Sequence, residues 1–270
     1  MKKKNVMKVA GTILVASLAL TACGRKNNNN NANNQSQAQT EQSSSTEEQS
    51  QGTGNGTGTM EDYQTLLSAG NNDEDIYGFF DENMGNFEQG DVDTMMSGFF
   101  GRFDDIGQVD FNRLSVHSDA MSPEMKDFVE LMMTEQGSPS ITEEGIQLTL
   151  IDLLDRCKIY EDFLQRYPNG QNYQYAYDQY ERMLTNAISG GYDGESTSTH
   201  YYMDTENEGQ IDPLAIDAYK TFIESNPDSI TARVVSDYVT EMSQNKNQIN
   251  DTANTYYQGL GEKIKGHFNS

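Results

Sequence analysis

The chain has 270 residues, with 18 Lys and Arg against 42 Asp and Glu, a net charge of -24 and only 35% hydrophobic residues. Such an acid excess repels nucleic acid and anionic headgroups, because phosphate binding relies on Lys and Arg displacing counterions. Two cysteines are too few for a disulfide scaffold or a cysteine-based zinc module, and the length suits one medium domain with accessory segments.

The first 22 residues place Lys2, Lys3, Lys4 and Lys8 at the head, then an apolar stretch over 9–20, then Thr21 and Ala22 before Cys23. A basic head, a short apolar core and small residues at the cut form the pattern of a secretory signal. The apolar stretch is shorter than the roughly 18 residues a spanning helix needs. The run Leu20-Thr21-Ala22-Cys23 resembles the lipobox of bacterial lipoproteins. That resemblance implies diacylglycerol transfer to the Cys23 thiol, cleavage before it, and a mature chain held by acyl chains such as palmitate on the outer face of a cell membrane. Removing 1–22 takes away four lysines and no acid, leaving 14 basic and 42 acidic side chains and a net charge of -28. The two acyl chains, not a basic patch, supply the attachment. No cofactor is expected beyond this covalent lipid.

From 24 to 59 the composition shifts to an asparagine run at 27–31, then Gln, Ser, Thr and Glu, then Gly-Thr repeats, with Ala32 and Ala38 as the only apolar residues. Such a segment buries too little surface to offset its chain entropy, so 23–59 reads as the lipidated cysteine and a disordered linker. Its random-coil span is roughly 30–36 Å and its stretched limit roughly 120 Å.

Residues 60–270 read as an all-α domain, because apolar residues recur at i, i+3 and i+4 with few alternating strands. Helices are expected over 61–68, 74–87, 92–105, 123–136, 171–189, 214–225, 230–246 and 249–265. A further helix is expected to start at Thr142 as its N-cap, with Glu143 and Glu144 in the first turn, and to end before Pro168. It carries Leu150, Leu153, Leu154, Cys157 and Leu164 on one face and Ile151, Ile159 and Phe163 on another, so it is read as central, with Cys157 in the core. Asp152 and Arg156, four apart, are expected to pair. Ser122-Pro123 and Asp212-Pro213 each set a capping side chain before a proline at the first helical position.

Sliding the sequence by 59 residues aligns Tyr160, Phe163, Leu164, Pro168 and Asn169 with Tyr219, Phe222, Ile223, Pro227 and Asp228, and Asp178 and Met183 with Asp237 and Met242. Tyr and Phe at i, i+3 anchor one helix, proline ends it, and small polar residues turn the chain into the next. This pattern resembles the helix-turn-helix units of tetratricopeptide-like lipoproteins and of helical lipoproteins of Gram-positive bacteria. It implies an irregular bundle of antiparallel helix pairs with two such units. The period differs from the 34 residues of a regular tetratricopeptide array.

No nucleophile-elbow, zincin, P-loop or dinucleotide motif is present in the sequence. His117, His200 and His267 lack a second histidine at ligand spacing and read as surface or capping residues. Asp204, Glu206, Glu208 and Asp212 resemble the oxygen-donor positions of an EF-hand calcium loop, but Ala215 stands where the bidentate glutamate belongs and Asp212 serves equally as a helix cap. Seven methionines lie between 84 and 133 among Phe99, Phe100 and Phe103. Met95, Phe99 and Met132 are either core or the wall of an adaptable groove. Tyr173, Tyr177 and Tyr180 share a stripe. Tyr175, Tyr192, Tyr201 and Tyr202 fall off it and are candidates to contact a sugar or a peptide.

The sequence is thus read first as a non-catalytic, lipid-anchored binding or scaffolding module for a protein, peptide or cell-wall component, with no nucleic acid partner. The alternatives are a wall hydrolase using two carboxylates and the solute-binding component of a transporter.

Overall fold

The structure, a computed structural model, describes residues 58–70, 72–191, 201–207 and 209–268. Cys23 with its leader, the linker up to residue 57, Tyr192, His200 and Glu208 lie outside the described residues. In chain order the elements are α1 (Met60–Ser68), α2 (Asp73–Asn83), α3 (Gln89–Phe100), α4 (Phe111–Ser115), α5 (Pro123–Gly137), β1 (Ile141–Thr142), β2 (Gly145–Ile146), α6 (Leu150–Arg166), α7 (Tyr173–Ser189), α8 (Pro213–Ser225), α9 (Ile230–Gln244), α10 (Asp251–Gln258) and α11 (Leu260–Phe268). The fold is all-α, an irregular bundle in which the sole sheet among the described residues is the two-stranded β1-β2 hairpin. Among the described residues no helix is long and apolar enough to cross a membrane.

Local chemistry explains where the helices begin. The side chains of Asn72, Ser122, Thr149 and Ser229 accept hydrogen bonds from the backbone N–H groups of Asp75, Met125, Asp152 and Ala232, satisfying donors that have no partner inside the helix. Pro123 and Pro213 occupy the first turns of α5 and α8 as their sequences predict.

Three sequence-based expectations are corrected. The central helix starts at Leu150, not after Thr142, because Gly145 takes φ +109, outside the helical range, and pairs with Thr142 across the β1-β2 hairpin. Asp152 does not pair with Arg156: it accepts from the Thr149 hydroxyl at the helix start, and Arg156 reaches across to the Glu135 carboxylate of α5 and the Ser138 carbonyl. The expected 249–265 helix is two, α10 and α11, divided at Gly259. The five-residue α4, too short to display a periodicity, was not anticipated by any sequence signal.

Helices α1 to α5 close around an aromatic layer. Tyr63 stacks on Phe80 at 5.7 Å between ring centres, while Phe80 and Tyr77 meet the edge of Phe99 at 5.5 and 4.9 Å. Phe128 of α5 carries the layer onward, 6.0 Å from Phe100 and 6.2 Å from Phe163 of α6. Helix α6 is central: it packs on α5, α7, α8 and α9, and Cys157 is fully buried within it.

The two helix pairs are α6 with α7 and α8 with α9. Tyr160 and Tyr219, Phe163 and Phe222, and Met183 and Met242 are all buried, so these three pairs sit at equivalent depth at offset 59, whereas Leu164 is buried and its equivalent Ile223 half-buried. Helices α6 and α8 end at Arg166 and Ser225, just ahead of Pro168 and Pro227. The pairs are joined by Glu161 of α6, which is 1% exposed. Its carboxylate accepts from the N–H of Ile230 at 2.9 Å and of Thr231 at 2.8 Å, and from the hydroxyls of Ser229 at 3.0 Å and Thr231 at 2.8 Å, all in the first turn of α9.

Two substitutions test this arrangement by urea unfolding. Phe163→Ala and Phe222→Ala should each cost about 3–5 kcal/mol through lost burial and a cavity, and a Phe222→Ala variant as stable as wild type would make the offset a coincidence. Glu161→Ala should cost about 3–5 kcal/mol, because it leaves buried helix-start donors unpartnered, whereas Glu161→Gln keeps an acceptor and should lose less.

Candidate functional site

Between α5, the β1-β2 hairpin, α6 and α7 lies a cavity of about 430 Å³. Its apolar lining comes from Phe111, Met132, Ile141 and the rings of Tyr160 and Tyr175, and its polar lining includes Asp105, Glu135, Glu143, Gln179 and Arg182. The start of α6 at Leu150 creates this site: the chain between α5 and α6 is spent on the hairpin, which delivers Ile141 and Glu143 to the cavity's edge.

Glu135 is fixed from behind. Arg156, nearly buried, forms an ion pair with it, and Ser140 donates to it through its hydroxyl at 2.9 Å and its N–H at 3.1 Å. Its negative charge is thereby neutralised before any ligand arrives. Arg182 is in the opposite condition. The other described arginines, Arg102, Arg113, Arg156, Arg166 and Arg233, all hold a carboxylate or a carbonyl, whereas among the described residues the Arg182 guanidinium has neither.

Tyr160 is 0% exposed at the cavity floor, and among the described residues its hydroxyl has no hydrogen-bond partner. Burial first, then the charge of Glu135, pushes its ionisation well above the usual tyrosine range, while Arg156 and Arg182 act in the opposite sense. Its repeat equivalent, Tyr219, is equally buried but donates to the Ala187 carbonyl at 2.6 Å. An unpartnered buried hydroxyl costs about 1–3 kcal/mol; those of Tyr177 and Tyr256 are also without a partner among the described residues, and Tyr160 is set apart from them by lining this cavity. Tyr175, half-buried, has its hydroxyl pushed up to about 12 by burial and by the charge of Asp105.

The other candidates take different places. Met95 and Phe99 are fully buried and Met132 is 4% exposed, so the methionine-phenylalanine cluster is core, with Met132 alone of the three reaching the cavity. The reason is that α2, α3 and α5 turn these faces toward one another. Tyr202 is buried, whereas Tyr201 is 62% exposed beside it, their rings meeting edge-on at 5.3 Å. In the acidic loop, Asp204 accepts from the N–H groups of Glu206 and Asn207 and from the Asn207 amide, which holds its carboxyl below the usual range, and Asp212 caps α8. Glu206 is exposed, and among the described residues no cluster of His, Cys, Asp and Glu is placed to hold a metal. His117 is not a loose surface residue: its Nε2 lies 2.9 Å from Asp81, which also accepts from Arg113 at 2.8 Å. His267 contacts Asp237 at 2.9 Å. Burial pushes the Cys157 thiol far above its ordinary range, so it is inert at neutral pH.

Sequence reasoning did not single out Arg182, Glu135, Gln179 or Glu143. The usable signal was Tyr175 falling off the core stripe of its helix with Arg182 two turns along the same face. Comparison with protein-family models, curated proteins and solved structures found no match.

Glu124 offers a test of the site's scaffold. Its carboxylate accepts from Asn172, at the start of α7, through the backbone N–H at 3.0 Å and the amide at 3.2 Å, and Gly170 packs so close that a Cβ there would meet it at 2.8 Å. Burial raises its pKa despite those hydrogen bonds. The folded state therefore binds the proton more tightly than the unfolded chain, and this group's contribution falls as pH rises from the unfolded value, about 4.3, through the raised folded value. Glu124→Gln should remove that decline: its stability relative to wild type should be lower at pH 4 than at pH 7 by chemical denaturation, and a pH-independent difference would contradict the burial argument.

Proposed function

We propose that this chain is a lipid-anchored extracytoplasmic binding protein, in which Cys23 carries the diacylglycerol, the residues from 24 up to Gly58 and Thr59, which are tied to Asn83 and to the start of α1, space the domain from the bilayer, and the cavity between α5 and α7 takes a ligand from outside the cell. The anchoring half is supported by the basic head, the apolar stretch and Leu20-Thr21-Ala22-Cys23. The binding half is carried by one observation: a cavity of about 430 Å³ lined by Tyr160, whose buried hydroxyl has no partner among the described residues, and by Arg182, whose exposed guanidinium has none among them either. That volume lies within the range of small-ligand sites, which combine apolar walls with a few convergent polar groups. Glu135, the most enclosed of the cavity carboxylates, is committed to Arg156 and Ser140, which favours recognition over proton transfer as the work of the site. In this reading the partner is a peptide, protein or wall component, and the attachment is to a Gram-positive cell membrane.

The anchor is tested by expressing the full chain in a Gram-positive host supplied with radiolabelled palmitate. Wild type should take up label and fractionate with membranes, while Cys23→Ala should take up none and appear in the soluble fraction with its leader uncleaved. Recovery of Cys23→Ala in the membrane at wild-type yield would refute the anchor.

A further inference from the structure

The cavity's charges narrow its ligand. A neutral sugar would leave the Arg182 guanidinium without a counter-charge. A purely anionic ligand would meet Asp105 and Glu143 on the same walls, in a chain whose net charge is -24. A purely cationic ligand would be drawn to those carboxylates but would face the guanidinium. A ligand carrying one charge of each sign complements both kinds of group: a carboxylate matches the two-pronged donor geometry of the exposed Arg182, and an ammonium matches the exposed carboxylates of Glu143 and Asp105, the latter also accepting from the Gly107 N–H at 2.9 Å. The remaining lining, Phe111, Met132, Ile141 and the Tyr175 ring, is apolar and suits a hydrocarbon or aromatic side chain.

The repeat supplies an internal control. At the position equivalent to Arg182 the second unit has Glu241, and at the position equivalent to the unpartnered Tyr160 it has Tyr219, whose hydroxyl is satisfied by Ala187. The first pair therefore differs from the second in the two groups that a carboxylate ligand requires. We propose that the cavity recognises a zwitterionic α-amino-acid unit with an apolar side chain, free or at the end of a short peptide, its carboxylate held by Arg182 and the Tyr160 hydroxyl and its ammonium by Glu143 and Asp105. This inference rests on the binding role proposed above.

Isothermal titration of the full-length chain in detergent distinguishes the possibilities. The probes are phenylalanine, alanyl-phenylalanine, its C-terminal amide, its N-acetyl form, and the neutral disaccharide cellobiose, each up to 10-fold above the tightest dissociation constant measured or, without one, to about the millimolar solubility common to small ligands. Alanyl-phenylalanine or phenylalanine should bind, the tighter of the two identifying the source as peptide end or free amino acid, and the amide should bind at least about 10-fold more weakly, the loss of one charge-assisted contact. Arg182→Gln should weaken the dipeptide about 10-fold and leave the amide unaffected. Glu143→Gln should weaken the dipeptide and leave the N-acetyl form unaffected. Tyr160→Phe should lower affinity severalfold while its melting temperature stays equal to wild type or rises, since the hydroxyl it removes has no partner among the described residues. Equal binding of dipeptide and amide, or an Arg182→Gln variant with wild-type affinity, would overturn the assignment. Binding of cellobiose alone would overturn the ligand class and leave the binding role standing, whereas a cavity that took none of the probes would overturn the ligand class, and the role with it if Gln179→Trp, which narrows the cavity, also left partner capture from the cell envelope unchanged.

Discussion

The buried carboxylate of Glu161 sets the relation between the two helix pairs, and the site depends on that relation. Withdrawing an ion from water costs several kcal/mol, and α9 compensates by turning its first-turn donors toward it, each charge-assisted bond contributing about 1.5–3 kcal/mol. The positive end of the helix adds to the attraction. Ser229 serves both partners, donating to Glu161 and accepting from Ala232, so the cap of α9 and its attachment to α6 are one structure. Because Glu161 follows directly on Tyr160, anything that fixes the carboxylate also fixes where that ring enters the cavity.

The same device recurs along the chain. Asp93 of α3 accepts from the N–H of Ser122 at the start of α5, Glu124 of α5 accepts from Asn172 at the start of α7, and Glu161 of α6 accepts at the start of α9. In each case an acid on one helix meets the donors that open a later one. A chain with 42 acids would be expected to suffer from self-repulsion, yet some of its carboxylates are spent on helix starts, where negative charge is favoured. Arg156 completes the frame by tying α6 to Glu135 near the end of α5. The cavity walls are thus supplied by helices whose relative positions are pinned by charge as well as by the aromatic layer.

Most of the fold was legible because it is periodic and capped. Ser122-Pro123, Asp212-Pro213 and the Tyr-Phe-Pro pattern at offset 59 are local signals, and the helices they mark lie where those signals put them. The errors arise where a local signal had a rival. Thr142 with two glutamates is a sound helix start until Gly145 is given its positive φ, and Thr149 then offers an equally sound one. Asp152 and Arg156 have the spacing of a pair, but a partner on another helix won the arginine. The site was far less legible. Its members span Asp105 to Arg182, and nothing in the sequence reveals that Tyr160 lacks a hydrogen bond, since that depends on which carbonyl the fold brings near its hydroxyl.

That contrast shows how a cavity wall can arise from a structural repeat. In the second pair, the tyrosine that anchors α8 spends its hydroxyl on the Ala187 carbonyl, at the far end of α7, so it is wholly structural. In the first pair the corresponding tyrosine anchors α6 through its ring, its hydroxyl has no partner among the described residues, and the residue lines a cavity that the β1-β2 hairpin borders rather than fills. Ring burial secures the helix in both pairs, and hydroxyl satisfaction secures it in only one. The stability forgone at Tyr160 is small beside the burial of the ring, so the fold tolerates it. The hairpin that interrupts the helical pattern is therefore what separates a cavity wall from a second copy of the same packing.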